Sequence, residues 1–430
     1  MSYKKENNKE CTVTINRCHY VDGNTLIQTL YNNKKTKLIV CSEDKTIVMD
    51  EYGIDDKKVM IPIHDVYLNK ETVVVPSGIN ANQLDMLYDD IITFIKSTLI
   101  APVDDIKLMA AYVLYTWMQD KVKTAPYLWI LGDYGTAKSR IGDLVGLLGF
   151  NSTFLGTSVT SANIFRMQDC ISGTLILDEM DMDFSKKESD LIKVLNGGYK
   201  HPGTIYRTEN RGGEQFKPIA YSVFGAKVIM SRDEPNDVAL KSRCFVIETE
   251  KVDISALRKH DISLSIDDGI LKKAESLRNR LLAYRFLNFN SKIQKTNYGY
   301  SESVSLRGRQ LINTMLSVLP KKLHDELLPI LEEHLFEDGI SLSIKEEKNV
   351  KSIIDSIISC HNELPIQISF MEICKKLEEV YSMAYEPKEI ANIVKRLKYE
   401  TKRISSGMVM IIRDVGNVGN VGDTNGKEGL

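Results

Sequence analysis

The chain has 430 residues, 43% of them hydrophobic and 27% charged, a balance that reads as soluble and globular with length for two or three domains. A net charge of −2 excludes a uniformly basic nucleic-acid coat but not local basic elements. No apolar run reaches membrane-spanning length, and the polar start MSYKKENNKE is followed by no apolar signal region, so a cytoplasmic protein without a membrane partner is expected.

Seven cysteines without a C-x-x-C pair point to reduced thiols, and Cys11, Cys18 and His19 lack a fourth ligand for zinc. Residues 1–82 read as a small β-rich domain, because short alternating runs (TVTINR, TKLIVCS, KTIVMD, KVMIPI, TVVVPS) are separated by turn-like breaks. From Ser77 onward, apolar residues recur at helical spacing through two helices. Residues 83–345 then alternate strand and helix. YLWIL, LILDEMD, KVIM and CFVIE are buried-strand runs, which predicts an α/β core with a parallel sheet, followed by mainly helical sequence.

GDYGTAKS lies between the first of these strands and a helix, the context of a phosphate-binding loop. Gly132, Asp133, Tyr134, Gly135, Thr136 and Ala137 would supply the backbone, Lys138 would reach the β- and γ-phosphates, and Ser139 would hold Mg²⁺. Ala137 stands where the pattern wants glycine; its methyl is tolerable provided the position does not require positive φ. Asp178 and Glu179 end a second strand, at the sheet edge where ligands bind, as a Mg²⁺ partner and a general base. Ser231, after KVIM, would point between these two elements and position a water. Arg243 precedes the fourth strand and would reach the γ-phosphate of a neighbouring subunit.

In this order the motifs resemble the AAA+ ATPase core of the minichromosome maintenance (MCM) helicases and of the MCM-like helicases of plasmids, viruses and integrative elements. The loops of that family typically read GDPGTAKS, so alanine before the lysine is a family trait. The resemblance spans about residues 85–310. It implies ATP and Mg²⁺ as cofactors, a helical lid, a sensor arginine at Arg307 or Arg309, a homo-hexameric ring and a DNA helicase or translocase serving a mobile element. Two functional alternatives stand beside it: a replication initiator or helicase loader, and a nucleotide-gated DNA-binding regulator with negligible turnover. The chain departs from the family in three ways. Ser231 or Arg232 stands where MCM proteins have asparagine, Tyr134 replaces proline, and the N-terminal region is too short for an MCM collar.

TIYRTE and QFKPIAYSV read as a hairpin turning at NRGG. By the resemblance it enters the ring channel, where Lys200, Arg207, Arg211 and Lys217 would follow a single-stranded DNA backbone. Residues 346–414 read as helix, helix and β-wing, a winged helix that could hold duplex DNA through Lys395, Arg396, Lys402 and Arg403. The Gly/Asn-rich stretch 415–430 is expected to be a disordered tail.

Overall fold

The computed structural model describes residues 13–42, 45–156, 160–178, 190–209, 217–232, 237–249, 257, 262–294, 298–302, 304–335, 340–359, 366–381, 385, 387–397, 399–404 and 407–412. The protein is mixed α/β and divides into two compact units, 1–337 and 338–430.

The apolar runs become one six-stranded sheet. Its order is Cys244–Glu248, Tyr127–Leu131, Lys227–Ser231, Leu175–Leu177, Ser152–Leu155 and Val73–Val74. The first five strands are parallel and the last is antiparallel. Every residue of Tyr127–Leu131 and of Lys227–Ser231 is buried, which is why these runs show no polar alternation. The helix Lys138–Leu148 lies close on this sheet. A Cβ at Gly142 would fall 2.1 Å from Met230 Sδ, so any larger residue there would have to displace the end of that methionine.

The N-terminal runs form two small sheets within the same unit. Four strands, His19–Asp22, Thr25–Asn32, Lys35–Ser42 and Lys45–Met49, make an antiparallel meander. Asn33 and Lys34, at φ 50° and 60°, make the two-residue turn at its centre. Val13–Arg17, Lys58–Pro62 and Tyr52–Asp55 make the other sheet. Contacts tie both to the core: Gln28 Nε2 donates to Asn151 Oδ1 at 2.8 Å, and Arg17 lies 3.6 Å from the Asp169 carboxylate. The run TVVVPS supplies Val73–Val74, which pairs with Ser152–Leu155 of the central sheet.

Among the described residues, helices Asp268–Asn288, Leu306–Leu316 and His324–Glu333 follow the sheet. The first is capped by Asp267, whose carboxylate accepts from Ile270 N at 2.9 Å. It is anchored by Arg285, which donates to both Asp120 oxygens at 2.8 and 2.7 Å and to the Trp117 carbonyl at 2.6 Å. Burial alone would raise the Asp120 pKa, but the Arg285 guanidinium overrides it and holds the carboxyl below its usual value.

The second unit carries helices Ile340–Ser359, Phe370–Tyr381 and Pro387–Arg396. Its antiparallel sheet has the order Ile366–Ser369, Gly407–Ile412, Glu400–Ile404. Ile353, Ile368, Phe370, Leu377, Ile393 and Met410 belong to its core. In chain order, Phe370–Tyr381 and Pro387–Arg396 are followed by the paired strands Glu400–Ile404 and Gly407–Ile412. Among the described residues, no helix is long and apolar enough to cross a membrane.

Candidate functional site

The loop after Tyr127–Leu131 is held by a chain of hydroxyls. Thr249, beyond the neighbouring strand, donates through N and Oγ1 to the Leu131 carbonyl at 2.7 and 2.9 Å. Its Oγ1 also meets Thr136 Oγ1 at 2.7 Å, and Thr136 Oγ1 donates to the Asp133 carbonyl at 2.7 Å. A Cβ at Gly132 would lie 1.9 Å from Thr249 Oγ1, so this clamp requires glycine. Ala137 corrects the sequence expectation. It caps the helix at φ 64°, ψ 17°, in the left-handed region, so its methyl is carried with strain.

Lys138 and Ser139 open the helix, where unpaired amides and the dipole favour an anion. Lys138 Nζ rests on its own loop, donating to the Gly132 carbonyl and, at 2.9 Å, to the Asp133 carbonyl. Ser139 Oγ donates to Asp178 Oδ1 at 3.4 Å, joining residues 39 positions apart. Asp143, one helical turn after Ser139, is the neighbour that sequence reading missed. Burial, and then the Asp178 carboxylate, push its pKa up to about 6. A single acid on a helix looks like an ordinary solvated side chain, and no sequence signal reveals that it lies near Asp178. Glu179 lies outside the described residues.

The strand Lys227–Ser231 separates the loop strand from the acid strand, as a positioning residue between them requires. The Ser231 side chain turns inward, however. It is 2% exposed, and its Oγ accepts from Trp129 Nε1 at 2.8 Å. The next residue, Arg232, is exposed, and its guanidinium sits 4.7 Å from the centre of the Tyr134 ring. A cleft of about 90 Å³ lies over the loop, lined by residues 133–136 with Lys138, Ser139, Ser231 and Arg232.

Arg243 stands at the other end of the sheet. Cys244 pairs with Tyr127 and Glu248 with Leu131, so Arg243 lies before the strand starts and the loop lies after the strand ends. Five residues of strand put about 16 Å between them. The Arg243 guanidinium is 5.3 Å from the Tyr199 ring centre, and Arg307 approaches the same ring at 5.1 Å. Arg309 donates to the Val304 carbonyl at 3.0 Å and lies over Tyr300. Neither Arg307 nor Arg309 lines the cleft over the loop of its own chain.

The basic candidates scatter. Lys200 is exposed just before the hairpin Thr204–Glu209 and Lys217–Ser222. Arg207 is half-buried, 5.5 Å from the Phe165 ring centre, and so contributes packing as well as charge. Lys402 and Arg403 are exposed on the edge strand Glu400–Ile404. Arg211, the side chains of Lys217, Lys395 and Arg396, and the tail 415–430 lie outside the described residues.

Among the described residues, no group of three or more His, Cys, Asp or Glu side chains gathers to hold a metal ion. Ser139 and Asp178 offer a smaller set, one hydroxyl and one carboxylate. Such a pair suits Mg²⁺, which keeps several waters and takes few protein ligands beside substrate phosphates.

No family model and no curated protein matches the chain. Among solved structures it is similar to the A-form apo structure of the NrS-1 C-terminal region. The identity is 15%, 90% of this chain and 96% of that chain are covered, and the TM-score is 0.29. At that TM-score the likeness assigns no family.

Proposed function

We propose that this chain is an AAA+ ATPase of the MCM-like group that binds Mg²⁺–ATP at residues 132–139 and works as a homo-hexameric ring moving or unwinding DNA. The observation that carries the reading is the meeting of Ser139 and Asp178 beside a loop whose lysine opens a helix. The loop amides and helix dipole would hold phosphate oxygens. Lys138 would exchange the Gly132 and Asp133 carbonyls, on which it rests, for those oxygens. Ser139 and Asp178 would hold the Mg²⁺, which when bound neutralises charge on the β- and γ-phosphates. Glu179, next along the chain, would orient and deprotonate the attacking water. Exposed Lys200, just before the hairpin, and exposed Lys402 and Arg403 of the second unit would supply charge for DNA phosphates.

The test is ATP hydrolysis by the purified protein with and without single-stranded DNA. Wild type should turn over ATP faster with DNA. Glu179→Gln should keep ATP binding and lose turnover, and Lys138→Ala should lose both. Nucleotide binding with no turnover under either condition would sink the motor and leave a nucleotide-gated DNA binder. Turnover without strand displacement would leave a loader.

A further inference from the structure

We infer that Tyr199 is a positioning residue: its buried ring fixes the Arg243 guanidinium where it can reach the nucleotide of the next protomer. The inference deepens the reading of an ATPase ring and rests on it.

Tyr199 stands directly after the helix Asp190–Gly198, in the run GGYKHPG, and is 2% exposed. It is bound to the strand that leads into the phosphate loop. Its carbonyl accepts from Ala125 N at 2.7 Å. Its ring meets the Tyr127 ring edge-on, with centres 6.4 Å apart and planes at 90°. Tyr127 is itself buried, and its hydroxyl donates to the Leu195 carbonyl at 2.6 Å. The backbone of Arg243 is pinned to the same strand, because Tyr127 N donates to the Arg243 carbonyl at 3.0 Å. Ring and arginine therefore share one rigid support, and the guanidinium lies 5.3 Å from the ring centre.

The way this charge is held points to a task beyond packing. Arg243 donates to the Ala239 carbonyl, and its Nε is buried without a hydrogen-bond partner. Arg307 lies 5.1 Å from the same ring centre and donates to Gln310 Oε1 at 3.0 Å. The Tyr199 hydroxyl donates to that oxygen as well, at 3.4 Å. Among the described residues, neither guanidinium forms an ion pair. A carboxylate partner would neutralise Arg243 and occupy its donors. A ring face attracts the guanidinium and leaves its charge for a phosphate. Two cations drawn to one ring also repel each other, an arrangement that core packing alone does not call for. An arginine that works across an interface must be confined before its partner arrives, because its side chain has many rotamers to lose. A ring fixed to the sheet does this in advance.

The experiment compares full-length wild type, Tyr199→Leu and Tyr199→Phe. Tyr199→Leu should keep its equilibrium affinity for Mg²⁺–ATP, which also shows that it has folded, and lose about tenfold in kcat. Tyr199→Phe keeps the ring and should recover most of that loss. If Tyr199→Leu does not fold, Tyr199→Met, which likewise lacks a π face, takes its place. A merely structural role is separated by mixed rings, in which Lys138→Ala protomers lend their arginine to the intact loops of Arg243→Ala protomers. Adding Tyr199→Leu to the Lys138→Ala protomer should cut the recovered turnover about tenfold. Adding it to the Arg243→Ala protomer should leave the recovered turnover unchanged, since that protomer has no arginine to position. Equal losses in the two placements, or no loss in either, would overturn the inference. If wild type hydrolyses ATP but the mixed rings recover nothing, Arg243 does not act across the interface, and the inference falls while the ATPase reading stands. If wild type hydrolyses no ATP, both fall.

Discussion

Ala137 holds a conformation that alanine disfavours. A left-handed alanine costs about 1–2 kcal/mol, and glycine in its place gives back part of that through greater freedom in the unfolded chain. Ala137→Gly should therefore stabilise the protein by about 0.5–1 kcal/mol, and Ala137→Val, with a branched Cβ, should destabilise it. Denaturant midpoints of the three proteins check the order, and a valine variant as stable as wild type would place the residue in another conformation. The loop itself was legible because glycines, lysine and serine stand at fixed spacing between an apolar run and a helical one. The φ of residue 137 was not, since a single methyl leaves no pattern in a sequence. Ser231 and Arg232 show the same limit. A strand end identifies the pair, but the direction of the Ser231 hydroxyl depends on Trp129, a cross-strand neighbour 102 positions away.

Elements were legible where burial erases alternation. The four strands nearest the loop announce themselves as apolar runs, while Val73–Val74 does not. Its run reads as one more strand of the N-terminal sheets, yet it borders the central sheet because its partner, Ser152–Leu155, presents an open edge. Nothing local to TVVVPS marks that pairing. The helix His324–Glu333 is a second element whose attachment only the structure discloses. The His334 carbonyl accepts from Val246 N at 2.8 Å, fastening the helix end to the edge strand. The His334 ring meets Asp105 Oδ1 at 2.8 Å and the Ile330 carbonyl at 2.7 Å. Burial lowers its pKa, but the bonds to Asp105 and Ile330 outweigh burial and raise it above the ordinary 6.5. A raised folded pKa makes this stabilisation complete below the unfolded value of 6.5. It fades as pH climbs through the folded value, since the folded state holds the extra proton between the two. The urea midpoint of wild type should therefore fall relative to that of Asp105→Asn between about pH 6 and pH 8. A constant difference across that range would mean the ring is neutral throughout.

At the scale of the whole molecule, the proposed ring must account for arginines that stand far from their own loop. Arg243 and Arg307 share the Tyr199 ring at the edge of the sheet opposite the phosphate loop. About 16 Å of strand separates them from any phosphate their own chain would hold. Long side chains do not cover that distance, so if Arg243 acts on ATP it acts on the nucleotide of the next protomer. A head-to-tail contact of this kind puts unlike surfaces together and closes into a ring when the rotation between protomers allows it. The consequence can be tested by mixing inactive variants. Lys138→Ala lacks the loop lysine, Arg243→Ala lacks the arginine, and each alone should hydrolyse almost nothing in the assembled ring. In a one-to-one mixture, about a quarter of the interfaces pair the intact loop of an Arg243→Ala protomer with the intact arginine of a Lys138→Ala protomer. Turnover should recover toward that fraction of wild type. An arginine working on its own chain's nucleotide would predict no recovery at any ratio, because every protomer would then carry a complete defect of its own.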